Sequence, residues 1–153
     1  MIKLTKNKIR EIYQDLDCGM RCFYNPETDE IKSLPDFDSN PYADEEMWQD
    51  DISSEIDSNF DKYIEFDKLP THEYFQLMVD FIDSVDDKQI QDRLTYALNK
   101  SKPFHNFKYE IDNSGKCKQK WFDFKEQEYC KWISRQIKDL NDINDFKKQQ
   151  QND

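Results

Sequence analysis

Twenty-two aromatic side chains (3 Trp, 8 Tyr and 11 Phe) occur in a chain of 153 residues that is 36% charged and only 36% hydrophobic. Charge this dense with so few apolar residues leans toward a solvated, unfolded segment. The rings argue the other way, because each removes roughly 150–250 Å² from water when buried. Together these facts point to a folded domain with an aromatic-rich core beneath a charged surface. At this length one domain is the expectation.

The apolar residues recur with two periods. Ile9, Ile12, Tyr13 and Leu16 follow Thr5 at helical spacing, which predicts a helix capped by Thr5 and ending near Leu16. Met20–Tyr24 and Glu30–Leu34 flank Asn25-Pro-Glu-Thr-Asp29 and predict two short strands joined by a turn at Pro26. A loop bracketed by Pro35 and Pro41 leads into an acidic helix over residues 43–57, with Met47 or Trp48, Ile52 and Ile56 on one face. Residues 61–66 alternate like a strand. Pro70-Thr71 opens a helix to about Val85 whose broad apolar stripe marks it as the central core helix. Asp86-Asp87 starts another, with Ile90, Leu94, Ala97 and Leu98 on one face, and Pro103 a short one with Phe104, Phe107 and Ile111. After the turn at Asn113-Ser-Gly115, residues 118–124 are expected as a strand and Lys125–Leu140 as the last helix, with Tyr129, Trp132, Ile133 and Ile137 inward. The expected fold is α+β: a small antiparallel sheet of three to four short strands packed against about five helices. The sheet's main supports are the helices near 70–85 and 125–140. One globular domain spans residues 1–140, and residues 141–153 form a disordered or frayed tail.

The net charge of −11 is unevenly distributed. Residues 25–92 carry −17 and residues 99–138 carry +5. Two lobes of opposite sign can pair internally, or each can meet a partner of its own. No run approaches the roughly 20 apolar residues of a membrane helix. No apolar stretch follows the basic N-terminus, so neither membrane insertion nor secretion is expected. A cytoplasmic chain would keep Cys18, Cys22, Cys117 and Cys130 as reduced thiols, buried or half-buried.

Several chemistries are excluded or weakened by composition. With only Gly19 and Gly115 in the whole chain, a glycine-rich phosphate loop or dinucleotide-binding turn of the usual kind cannot be built. There is no Gly-x-Ser-x-Gly and no calcium-loop spacing. Cys18 and Cys22 are separated by three residues, not the two of a zinc knuckle, and His72 and His105 are far away in sequence. No metal and no cofactor is expected, and no catalytic residue is identified. A cysteine–histidine pair adjacent only in space is the route left to an enzyme.

Two surfaces carry candidate residues. Met47, Trp48, Asp50 and Asp51 lie in the acidic stretch, where dense carboxylate around exposed rings can dock on a basic protein partner. Lys102, His105, Lys108, Lys116, Lys118 and Lys120 lie among Phe104, Phe107, Trp121 and Phe122, a pattern for anion or nucleic-acid contact. Helical spacing makes Phe104 and Phe107 core residues, and the −17 middle repels nucleic acid. A protein partner is therefore the first expectation, nucleic acid the second and an unrecognised enzyme the third.

An ordered series of segments carries a resemblance. It comprises Phe23-Tyr-Asn-Pro-Glu-Thr-Asp-Glu-Ile31, Tyr63-Ile-Glu-Phe-Asp-Lys-Leu-Pro70, Met78-Val-Asp-Phe-Ile82, Leu94-Thr-Tyr-Ala-Leu98, Phe104-His-Asn-Phe-Lys108, Lys120-Trp-Phe-Asp-Phe124 and Trp132-Ile133. Over most of residues 5–135 the chain resembles a bacterial family known as uncharacterised protein family 0158. The resemblance implies a single domain and brings no established activity. It also marks three departures: Asp29 stands where the family has a glycine, Lys100-Ser-Lys-Pro103 where it has a glycine-rich turn, and His105 where it has an arginine.

Overall fold

Local signals decide the first elements. The Thr5 hydroxyl accepts the Lys8 backbone N–H at 3.2 Å and starts helix α1 (Lys6–Asp17), which buries Ile12, Tyr13 and Leu16. Gly19, at φ +84°, turns the chain into strand β1 (Met20–Asn25), which pairs antiparallel with β2 (Glu30–Pro35). The computed structural model describes residues 1–36, 56 and 58–151. The chain divides into two compact units, residues 1–68 with 130–153, and residues 69–129.

In the first unit a short 3₁₀ turn (Phe60–Lys62) precedes β3 (Ile64–Phe66), and the sheet order is β2-β1-β3. Central β1 sets Cys22 opposite both Ser33 and Phe66. It buries Cys22 through Asn25 without alternation, as a strand covered on both faces does. Phe23, Leu34 and Ile56 form a core with Tyr63 against it. Cys22 lies 3.8 Å from the Asp15 carboxylate; burial first, and then that carboxylate, push its thiol pKa well up. Cys18 is exposed, against expectation, and all four cysteines are free thiols.

The hairpin turns at Asp29, which adopts a left-handed φ of +61°. Three contacts hold it there. Tyr24 donates its hydroxyl to Asp29 Oδ1 at 2.7 Å, Lys8 pairs with Asp29 Oδ2 at 3.0 Å, and the Lys8 ammonium also donates to the Asp29 carbonyl. Burial and then Asp29 push the Tyr24 phenol up to about 12, and the Tyr24 hydrogen bond holds the Asp29 carboxyl below its usual range.

The second unit is helical: α2 (Thr71–Asp83), α3 (Lys88–Leu98), α4 (Pro103–Asp112) and the first turns of α5 (Lys116–Gln151). Asp87 caps α3 by accepting the Gln89 and Ile90 N–H groups at 2.9 and 3.3 Å. Met78, Phe81, Ile82, Leu94, Phe107, Ile111, Cys117 and Trp121 form its core.

Helix α5 replaces the expected strand over 118–124 and runs past the helix end expected at Leu140. Cys117, Trp121, Lys125, Tyr129, Ile133 and Ile137 are all buried, one every fourth residue. That spacing is helical and outweighs the strand preference of Trp121, Phe122 and Phe124. The C-terminal part belongs to the first unit. There the Gln136 carboxamide brackets the Asp67 backbone at 2.8 and 3.1 Å, and the Asn141 carboxamide brackets Ile2 at 2.8 and 3.0 Å.

Lys102 occupies the left-handed region at φ +57°, ψ +56°, immediately before Pro103. A side chain there costs about 1–2 kcal/mol, and the following proline disfavours any helical residue before it. Glycine removes the strain but adds freedom to the unfolded chain. Lys102→Gly is therefore expected to raise stability by about 0.5–1 kcal/mol. The measurement is the urea midpoint at unchanged slope; no increase would mean the turn is relaxed as it stands.

Candidate functional site

The second unit contains a cleft of about 620 Å³. Its walls come from the end of α2 and the following turn (Phe81, Ser84, Val85, Asp86, Asp87), from Ile90 on α3, from Ser114, and from Lys116, Cys117, Lys120, Asp123, Phe124 and Gln127 on α5. The helical period of α5 explains why Lys116, Lys120, Asp123 and Gln127 share one side, being three or four residues apart. Phe81, Val85, Ile90 and Phe124 make an apolar floor. Asp86, Asp87, Lys116, Lys120, Asp123 and Gln127 form an exposed rim.

The rim carries both signs. Burial raises the Cys117 thiol's pKa, a hydrogen bond with Ser114 and then the Lys120 ammonium oppose the rise, and the Asp87 carboxylate adds to it. Burial is the largest cause, and the net direction is upward. A thiol held protonated in this way is a poor nucleophile. Neither His72 nor His105 lines the cleft. Asp123 accepts the Gln119 side-chain amide at 2.9 Å, and Asp87 caps α3 through Oδ1 alone. Among the described residues Lys116 and Lys120 form no ion pair. The arrangement suits binding: an apolar group on the floor, with charges of either sign at the rim.

The six basic candidates do not form one strip. Lys116 and Lys120 line the cleft, whereas Lys118 pairs with Asp112 at 3.5 Å and lies 5.9 Å from the Phe122 ring. Lys102 precedes α4, and His105 and Lys108 lie exposed on that helix. Phe107 is buried as expected, but Phe104 sits at the core's edge against Tyr74 and Phe75, with ring centroids 5.9 and 6.3 Å away. Met47, Trp48, Asp50 and Asp51 lie outside the described residues. Of the acidic stretch, Ile56 is described and buried.

Sequence reasoning missed Asp86, Asp87, Asp123 and Cys117 as parts of a site. Asp86-Asp87 was visible as a helix start, and Cys117 as an isolated thiol. Only the helical form of α5 puts Cys117 and Asp123 beside Lys116 and Lys120. Among the described residues no helix is long and apolar enough to cross a membrane.

The model of one family, described as uncharacterised protein family UPF0158, matches residues 37–152. No curated protein and no solved structure matches the chain.

Proposed function

Because the chain belongs to the uncharacterised protein family UPF0158, whose description names no activity, its role rests on what its surfaces can bind, and we propose that it is a non-enzymatic cytoplasmic module that recognises a protein partner through the cleft. One observation carries this reading: an exposed rim of both charges encircles an apolar floor. A dry apolar centre within a polar rim is the anatomy of a protein interface. A buried small-molecule site would instead enclose most of its ligand. The occupant is a polypeptide segment that seats an apolar side chain on Phe81, Val85, Ile90 and Phe124. It directs a cation toward Asp86 and Asp87 and an anion toward Lys116 and Lys120. Asp50, Asp51 and the other acids of residues 43–57 would add negative charge that speeds encounter with a basic partner.

The test places a photo-crosslinking benzoylphenylalanine at Gln127, on the rim, in the native host. The expected adduct is a protein peptide whose linked apolar residue lies between basic and acidic neighbours. Its yield falls at least about tenfold in Ile90→Asp and in Lys120→Glu backgrounds, as loss of an interface anchor requires, and survives Tyr109→Ala. An adduct with nucleic acid, no adduct, or a yield indifferent to Lys120→Glu would count against the cleft as a protein-docking site.

A further inference from the structure

Helices α3 and α4 turn buried residues, Leu94 on one and Phe107 and Ile111 on the other, into the same core. Their opposite faces are exposed and similarly built. On α3, Tyr96 is 64% exposed, with Arg93 one turn before it and Lys100 one turn after; the Lys100 ammonium lies 4.0 Å from the Tyr96 ring centroid. On α4, Tyr109 is also 64% exposed, with His105 one turn before it and Lys108 beside it. Isolated exposed rings are ordinary; two exposed tyrosines, each with basic side chains close by in sequence, are a pattern.

Two of the acids on these helices, Asp92 and Asp112, are already engaged, and Glu110 lies beside Tyr109. Lys88 pairs with Asp92 at 3.2 Å, and Lys118 with Asp112 at 3.5 Å. Arg93, Lys100, Lys102 and Lys108, by contrast, form no ion pair among the described residues. Residues 88–112 carry five Lys/Arg and three Asp/Glu, a net +2, within a chain whose net charge is −11.

We propose that this face binds single-stranded nucleic acid, with Tyr96 and Tyr109 stacking on bases and Arg93, Lys100 and Lys108 contacting phosphates. The chemistry selects the ligand. Exposed rings beside ammonium groups match a polymer that alternates flat bases with anions. A base inside a duplex is already stacked on both sides, so the rings can engage only unpaired strands. The site is distinct from the cleft, whose lysines are Lys116 and Lys120, and the inference does not depend on the cleft's occupant.

The test is fluorescence anisotropy of the full chain with labelled oligo(U) and oligo(dT), at about 50 and 200 mM salt. The Tyr96→Ala/Tyr109→Ala double variant is expected to bind roughly ten- to a hundredfold more weakly, the loss of two stacked bases. Lys100→Glu and Lys108→Glu each weaken binding and flatten its salt dependence. Lys116→Ala, in the cleft, leaves it unchanged. All the substituted side chains are exposed, and circular dichroism matching the parent chain confirms that each variant is folded. Equal affinity for duplex, indifference to the double tyrosine substitution, or displacement by polyglutamate as readily as by oligo(U) would overturn the proposal. The last result would assign the face to acidic protein surfaces.

Discussion

Trp121→Ala is expected to cost about 3–5 kcal/mol of unfolding free energy. Trp121 is 5% exposed, and its ring meets Phe107, Phe81 and Tyr74 edge-on at 4.9, 5.3 and 6.3 Å, with Phe124 at 6.3 Å. Those partners come from α2, α4 and α5, so truncation leaves a void that no single helix can close. Lost edge-to-face contacts add to the lost burial. The neighbouring Phe122 is the internal control. It is 37% exposed, so Phe122→Ala should cost about 1 kcal/mol or less. Urea unfolding followed by circular dichroism measures both. Against a typical total of about 5–15 kcal/mol, the first change takes a large share of the stability. Similar costs for the two variants would mean that the ring cluster is not the centre of this core.

The elements read correctly from sequence are those whose apolar residues sit on one clean period and begin at a recognisable cap. α1 with Thr5, α2 after Pro70, α3 with Asp87 and α4 with Pro103 all belong to this class. So does the hairpin, where Met20–Asn25 and Glu30–Pro35 flank the turn. In α5 the strand preference of Trp121, Phe122 and Phe124 competes with a helical period that one polar residue interrupts. Lys125 occupies a core position in the every-fourth series and hides the period from anyone counting apolar residues. Its carbon chain is buried while its ammonium lies 5.2 Å from the Phe122 ring centroid and 6.0 Å from that of Trp121. A lysine can cover apolar surface with its stem and keep its charge over ring faces. With Lys125 counted as inward, residues 117–137 read as one helix.

The cleft was illegible for the same reason. Lys116 and Lys120 appeared as two members of a basic run, and Asp86-Asp87 as a helix start about thirty residues earlier in the sequence. Only a helical α5 puts Lys120 and Asp87 within electrostatic reach of the same thiol. Two positions in turns take a conformation that favours glycine. Asp29 and Lys102 are the non-glycine residues with positive φ among those described. A glycine at either position would take that conformation without penalty. At Asp29 the chain substitutes three polar contacts for the missing freedom. At Lys102 no comparable side-chain cap is present, which is why the stabilising substitution is placed there.

Phe66→Ala is the second large effect, and its comparison with Glu65→Gln separates two ways of holding a strand. β3 has only three residues, so its ladder to β1 is short, and it needs an anchor beyond its backbone bonds. Two candidates sit side by side. Glu65 receives Arg21 through two hydrogen bonds of 2.8 and 3.0 Å, good fork geometry but at the surface. Phe66 is 2% exposed, opposite Cys22. An exposed ion pair contributes about 1 kcal/mol or less, because solvent and salt screen it and both side chains must be ordered. Burial of a phenylalanine contributes several times that. Phe66→Ala is thus expected to cost about 3–5 kcal/mol and to strip hydrogen-exchange protection from the β3 amides. Glu65→Gln should cost about 1 kcal/mol or less and leave that protection in place. If the order were reversed, the Arg21–Glu65 pair would be holding the strand, and its stability would fall steeply with added salt. Insensitivity of the parent chain to salt, together with the large Phe66 effect, would place the anchor in the ring.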